Sequence, residues 1–300
     1  MAGSGAVRGI RFVLLAVVLF AAQDGISTYL AERYPVPFFV MIRYWFFLAF
    51  VLALAARLQG GVRAASRTAM PVLQAARGIL LVVQILVIVT SFDLIGLGAT
   101  HAIFALHPLL ATLLAVPILG EIVGWRRLAA VATGFLGALV IMRPGGELFQ
   151  VEALVALASA VMFAFYTVLT RLTSTADGSA QPAFFYTGAA GAVTATLAGI
   201  WFWTPMTPGD WGWLGVLCIT GMSGHYCLIR ALDATEAVRI QPFVYLQMVL
   251  SQVIGFLVFG EVVAWSTLVG MALIIGAGLY AIWREAQLLR AGGAEVRAAR

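Results

Sequence analysis

The chain has 300 residues, 62% hydrophobic and only 10% charged, with a mean hydropathy of +1.00; a soluble domain carries roughly a quarter charged residues, so that class is excluded. The net charge of +5 arises from 18 basic residues, all arginine, against 13 acidic ones. These arginines are scattered through short connections without interleaved aromatics, which excludes a nucleic-acid footprint.

Apolar runs of about 20 residues, the length that crosses a hydrocarbon core, occupy ten intervals: 11–31, 37–58, 71–92, 98–119, 124–143, 151–171, 182–203, 211–231, 237–259 and 264–284. The first follows Arg8 and Arg11 as a signal peptide would, but cleavage after Ala22 would put Phe20 at the small-residue position, so an uncleaved span is expected. The connections are short and marked by Gly60-Gly61, Pro144-Gly145, Asp177-Gly178 and Pro208-Gly209.

Polar side chains inside such spans are costly and face protein or a wet cavity, so helical spacing picks out candidate cavity walls. Span one offers Gln23 with Ser27, and Asp24 with Thr28 on the next row. Span two carries Arg43 before Tyr44 and Trp45, an interfacial anchor or an ion-pair partner for Asp24. On span three, Arg77, Gln84 and Ser91 recur every seven residues, with Gln74 near the start. Span four places His101, Phe104, Pro108 and Thr112 on a shared face and His107 elsewhere. Span six gives Ser159, Phe163, Tyr166 and Thr170; span eight, His225 and Tyr226; span nine, Gln241, Tyr245, Met248 and Gln252. Pro108, Pro117 and Pro242 are expected to kink their helices.

Spans five and ten contrast with these. Thr133 is the only polar side chain between Leu128 and Met142, as Tyr280 is between Leu268 and Ile282. Their glycines, including Gly137 and Gly270, suit close helix packing, and both spans read as scaffold. Cys218 and Cys227 lie nine residues apart on one span, beyond disulfide reach. No HExxH metal motif, GxSxG elbow or phosphate-binding loop occurs, so neither an enzyme nor a metal or cofactor is expected.

Orientation follows from the arginines. With the N-terminus cytoplasmic, fourteen fall in cytoplasmic segments and only Arg33 and Arg143 in outer ones. The chain also repeats itself. Gly120, Glu121 and Trp125 return as Gly260, Glu261 and Trp265, offset by 140, while Ala99-Thr100-His101-Ala102 returns as Ala234-Thr235-Glu236-Ala237, offset by 135. Five spans per half force the second half to enter the bilayer upside down, an inverted repeat with a site at its seam.

Asp93, Gly98-Ala99-Thr100-His101, His107-Pro108, Gly120-Glu121, Trp125-Arg126-Arg127, Gly134, Gly137 and Arg143-Pro144-Gly145 resemble the EamA repeat of the drug/metabolite transporter superfamily. Pro242-Phe243-Val244-Tyr245, Gln247, Gly255 and Gly260-Glu261 are similar to its second copy. The resemblance implies an all-α integral membrane protein of ten transmembrane helices in two inverted five-helix repeats, 1–146 and 147–290, with a tail at 291–300. It also implies secondary transport in a bacterial inner membrane, both termini cytoplasmic, as a monomer or homodimer, as in YddG-type aromatic amino-acid exporters.

From the residues, the candidate solute cavity comprises Gln23, Asp24, Arg77, Gln84, His101, Phe163, Tyr166, His225, Tyr226, Tyr245 and Gln252. Its aromatic and amide content suits a planar solute, and Arg77 is positioned in this reading to receive a carboxylate. Export of amino acids, aromatic ones favoured, is the first expectation. Export of cationic compounds or nucleotide-like metabolites such as S-adenosylmethionine, with Asp24 as proton carrier or counter-ion, is the second.

Overall fold

The computed structural model describes residues 2–57, 60–120, 125–142, 152–234, 237–277, 279, 280 and 283. The described residues are helical, with no strand among them. In lipid the backbone must satisfy its own hydrogen bonds, and helices do so within one segment. The helices are α1 (Ala2–Ala31), α2 (Val36–Ala56), a short α3 (Gly61–Ala65), α4 (Pro71–Ile95), α5 (Leu97–Phe104), α6 (His107–Leu119) and α7 (Trp125–Met142). They continue with α8 (Ala153–Asp177), α9 (Gln181–Gly199), α10 (Pro208–Ala234), α11 (Ala237–Phe259) and α12 (Trp265–Ala277).

Seven spans among the described residues are long and apolar enough to cross a bilayer: α1 from Val7, α2, α4, the α5–α6 pair, α8, α9 with the 3-10 turn after it, and α10. The fourth is not one kinked helix. It breaks at Ala105 and Leu106, and Pro108 lies in the first turn of α6, where its missing N–H costs nothing. Pro117 alone sits inside that helix, near its end. The repeated glycines have a physical basis: Gly120 (φ 70°) and Gly260 (φ 67°) each follow a helix in the left-handed conformation.

The two halves interleave. α1 packs chiefly on α10 and α11, α8 on α4 and α6, α2 on α9 and α10, and α4 on α9. Exchanging α1, α2, α4 and α5–α6 for α8, α9, α10 and α11 turns α1–α10 into α8–α4, and α2–α10 into α9–α4. The contact network maps onto itself. At the periphery α7 meets α12 at close quarters, for a side chain on Gly137 would lie 2.7 Å from the Gly270 carbonyl.

Carboxylates at helix ends pin the frame. Asp210, in the first turn of α10, accepts from Tyr29 Oη (2.9 Å), Tyr34 Oη (2.8 Å) and Thr207 Oγ1 (2.7 Å). Asp177, ending α8, accepts from Thr68 Oγ1 (2.8 Å), the Ala69 amide (2.8 Å) and Gln74 Nε2 (3.0 Å) ahead of and within α4.

The third such group joins the halves most directly. Gly96 (φ 85°) interrupts the chain between α4 and α5, exposing the first amides of α5. Glu261 caps both, accepting from Leu97 N (2.6 Å) and Gly98 N (2.8 Å), while Gln252 Nε2 donates to the Gly98 carbonyl (2.6 Å). The second copy of the repeated Gly-Glu pair thus holds the other half. Hydrogen bonds to a charged group contribute about 1.5–3 kcal/mol each. Glu261→Ala is therefore expected to lower the melting temperature in detergent by on the order of 5 °C, with Glu261→Gln intermediate; an unchanged transition in the alanine variant would show that the cap carries no stability.

Candidate functional site

A cavity opens where seven of these helices meet. α1 contributes Phe20, Gln23, Asp24 and Ser27, α2 Arg43, and α4 Gln84, Ile85, Ile88 and Val89; α5 adds Phe104, α8 Phe163, α10 His225 and α11 Gln247. Its water-sized room is about 30 Å³, space for about two water molecules. An organic solute fits there only if the lining side chains or helices move apart.

Its polar wall starts at Asp24, which is 6% exposed. Oδ2 accepts from Gln247 Nε2 (2.8 Å) and lies 3.1 Å from His101 Nε2, an ion-pair distance without hydrogen-bond alignment. Among the described residues, Oδ1 has only a 3.5 Å contact from Gln23 Nε2. The other end of the Gln23 amide accepts from Arg43 Nη2 at 2.8 Å. A buried carboxylate and guanidinium are thus linked through one neutral amide. Buried ions are tolerated when opposite charges and hydrogen bonds surround them. His101 sits behind Asp24, fully buried, its ring stacked on Phe92 (5.5 Å between centroids) and met edge-on by Phe104 (5.9 Å).

The apolar wall is aromatic. Phe163 and Phe104 lie 5.4 Å apart, and Tyr166 stacks behind Phe163 at 5.7 Å. His225 closes the far side, edge-on to Phe20 at 5.0 Å. It is buried, yet neither ring nitrogen has a hydrogen-bond partner. An unsatisfied buried imidazole lining a cavity is placed to meet water or a ligand. Gln84 is engaged on its own side by Ser159, 2.9 Å away.

The expected site residues therefore separate. Gln23, Asp24, Gln84, Phe163 and His225 line the cavity, and His101 and Tyr166 back it. Arg77 does not line it. Its Nε donates to Gln74 (3.2 Å), Nη1 to Thr170 (3.2 Å), and Nη2 to Thr187 (3.0 Å) and to the Ala183 carbonyl. It ties α4 to α8 and α9, over the Tyr166 ring at 5.2 Å. With these donations going to the fold, this conformation lends no support to the expectation that Arg77 receives a solute carboxylate. Tyr226 does not line this cavity either. It is 39% exposed and its ring rests on Phe184, because neighbours on a helix diverge by about 100° and His225 takes the inner face. Gln252 belongs to the Glu261 cap, and the side chain of Tyr245 lies outside the described residues.

Three polar lining residues were not among the expected set: Ser27, which was placed beside Gln23 on span one but not counted with the cavity, Gln247 and Arg43. Gln247 is off the 241–245–248–252 stripe, so spacing passed it over. Arg43 was weighed only as an anchor or a direct partner of Asp24, although a lone arginine inside an apolar span is itself a signal.

Because the Arg77 partners are buried, Arg77→Ala is expected to cost about 2–4 kcal/mol of stability, and Arg77→Lys restores little since one ammonium cannot serve three directions. Thermal unfolding of both variants measures this; a lysine variant as stable as the parent would refute the tie.

With the geometry in place, the relatives can be set beside it. A model of the EamA-like transporter family matches residues 7–143 and, a second time, residues 150–283. The S-adenosylmethionine uptake transporter of Rickettsia prowazekii (strain Madrid E) is 26% identical over 282 residues, covering 93% of this chain and 94% of that protein. The riboflavin transporter of Brucella anthropi is 27% identical over 282 residues, covering 89% and 96%. A protein crystal structure of 21% identity superposes with a TM-score of 0.65 over 95% of this chain and 99% of the other, a likeness of fold.

Proposed function

The chain belongs to the EamA-like transporter family, and from that premise we propose that it moves small metabolites bearing a heteroaromatic ring across a bacterial inner membrane, S-adenosylmethionine-like compounds foremost. It is a membrane transporter and not an enzyme. The observation that carries the substrate reading is the cavity itself, with opposite charges on Asp24 and Arg43 facing a wall of Phe20, Phe104 and Phe163. An aromatic wall binds a planar ring by stacking, while the charges discriminate among ring-bearing solutes. The S-adenosylmethionine and riboflavin transporters among the relatives support this more than they support export of free aromatic amino acids.

The architecture proposed for this activity is ten spans in two inverted five-helix repeats, 1–146 and 147–290, with both termini cytoplasmic. Three observations support it. The family model matches twice, the inter-helix contacts survive exchange of the halves, and the arginines crowd the connections assigned to the cytoplasm. A cavity between two such halves faces one compartment when they rock one way and the other when they rock back. Asp24 beside His101 supports a second reading, in which a proton on this pair accompanies a cationic solute.

Proteoliposomes should show saturable uptake or exchange of labelled S-adenosylmethionine. Losing one stacking surface costs about 1–3 kcal/mol, so Phe163→Ala should weaken it roughly tenfold. Wild-type flux for riboflavin or aromatic amino acids but none for S-adenosylmethionine would reassign the substrate. On the proton reading Asp24→Asn loses both flux and its dependence on an imposed pH gradient; retained flux or unaltered gradient dependence removes it.

A further inference from the structure

The bridge between Asp24 and Arg43 carries more than a structural role. The side chain of Gln23 presents a carbonyl oxygen to the guanidinium and an NH2 group to the carboxylate. Its two polar ends stand about as far apart as the ammonium nitrogen and nearer carboxylate oxygen of an α-amino acid, and they face the same way: acceptor toward Arg43, donor toward Asp24. We propose that Asp24, Gln23 and Arg43 form a receptor for a zwitterionic α-amino-acid head group, in which the Gln23 amide holds the place of the head group until substrate arrives. This rests on the transport reading above and names the feature of the substrate that the cavity selects.

The existing contacts leave room for that exchange. Asp24 Oδ2 is occupied by Gln247 and His101, whereas Oδ1 has only the long 3.5 Å contact from Gln23, which an ammonium replaces with a charged bond. Arg43 donates one hydrogen bond, to Gln23, though it is a five-donor group and 3% exposed. Its guanidinium lies over Gly221 of α10, where a side chain would come within 2.5 Å of Nε, so it is aimed by packing. A substrate carboxylate accepts from Arg43 in the strong charge-assisted geometry, and the displaced Gln23 amide turns away.

Charge balance selects a zwitterion. A solute with only a carboxylate leaves Asp24 facing it, and one with only an ammonium leaves Arg43 unpaired; either strands a buried charge. A head group bearing both satisfies both. The rest of the molecule then meets the Phe163 and Phe104 rings and the unpartnered His225. S-adenosylmethionine carries such a head, and riboflavin has neither ion.

The test is ligand-induced stabilisation of the purified protein, which reads affinity directly, using S-adenosylmethionine, its decarboxylated form, L-methionine and riboflavin. Wild-type protein should bind the decarboxylated form about 100-fold more weakly than its parent, since a site built around a polar group rejects the analogue lacking it. In Arg43→Gln that preference should fall below about threefold, and in Gly221→Ala, which displaces the guanidinium without removing its charge, it should also shrink. Gln23→Leu should melt earlier when empty yet gain a larger shift with S-adenosylmethionine, because no placeholder competes. Equal binding of both forms to the wild type, or loss of binding in Gln23→Leu, overturns the receptor. So does stabilisation by riboflavin alone, which leaves the transporter reading intact. Zwitterion binding without flux of any compound in liposomes would instead sink the transporter reading and keep the receptor.

Discussion

A carboxylate and a guanidinium buried between helices, joined through a single amide, is the constraint around which this protein is organised. Neither charge is tolerable alone in a low-dielectric interior. Asp24 therefore draws Gln247 from α11 and His101 from α5, and Arg43 draws Gln23 across from α1. These contacts converge four helices on one point. They also leave the point unfinished, with donors on Arg43 and an oxygen on Asp24 only weakly engaged. A site that has to bind and release a solute needs charges held firmly in place and loosely in partnership.

A frame of polar contacts surrounds that point. Carboxylates at helix ends do the holding: Asp177 across α4 and α8, Asp210 across α1 and α10, Glu261 on the exposed amides of α5. Each acts at a helix terminus, where backbone groups are already lacking partners. Arg77 does the same work from inside the bundle. In the proposed mechanism the arginines divide: Arg77 holds the frame and Arg43 meets the solute.

The expectation of aromatic amino-acid export rested on the rings, whereas the proposal above rests on the charges as well. The proposed solute is planar, to suit Phe20, Phe104 and Phe163, and two relatives are named for the ring-bearing S-adenosylmethionine and riboflavin. The arginine that would meet a carboxylate was sought on α4; the one that reaches the cavity is on α2. That change moves the reading from amino acids as such toward larger metabolites that carry an amino-acid head.

The amino-acid sequence by itself determined the membrane class, the places of the helices and the polar rows, because apolar length and helical spacing are one-dimensional properties. It also marked Gln23, Asp24, Gln84, Phe163 and His225, since a polar or aromatic residue on a repeating face of an apolar span has to point at protein. Only the tertiary structure decided which row met which. Lipid and protein interior are equally apolar, so hydrophobicity does not say which face of a membrane helix turns inward. His225 and Tyr226 looked alike along the chain and landed on opposite sides. Arg77 found acceptors on Ala183 and Thr187, more than a hundred residues away. Gln247 reached Asp24 from outside its own stripe, because the angle between two packed helices is set by every side chain at their contact and by no local pattern.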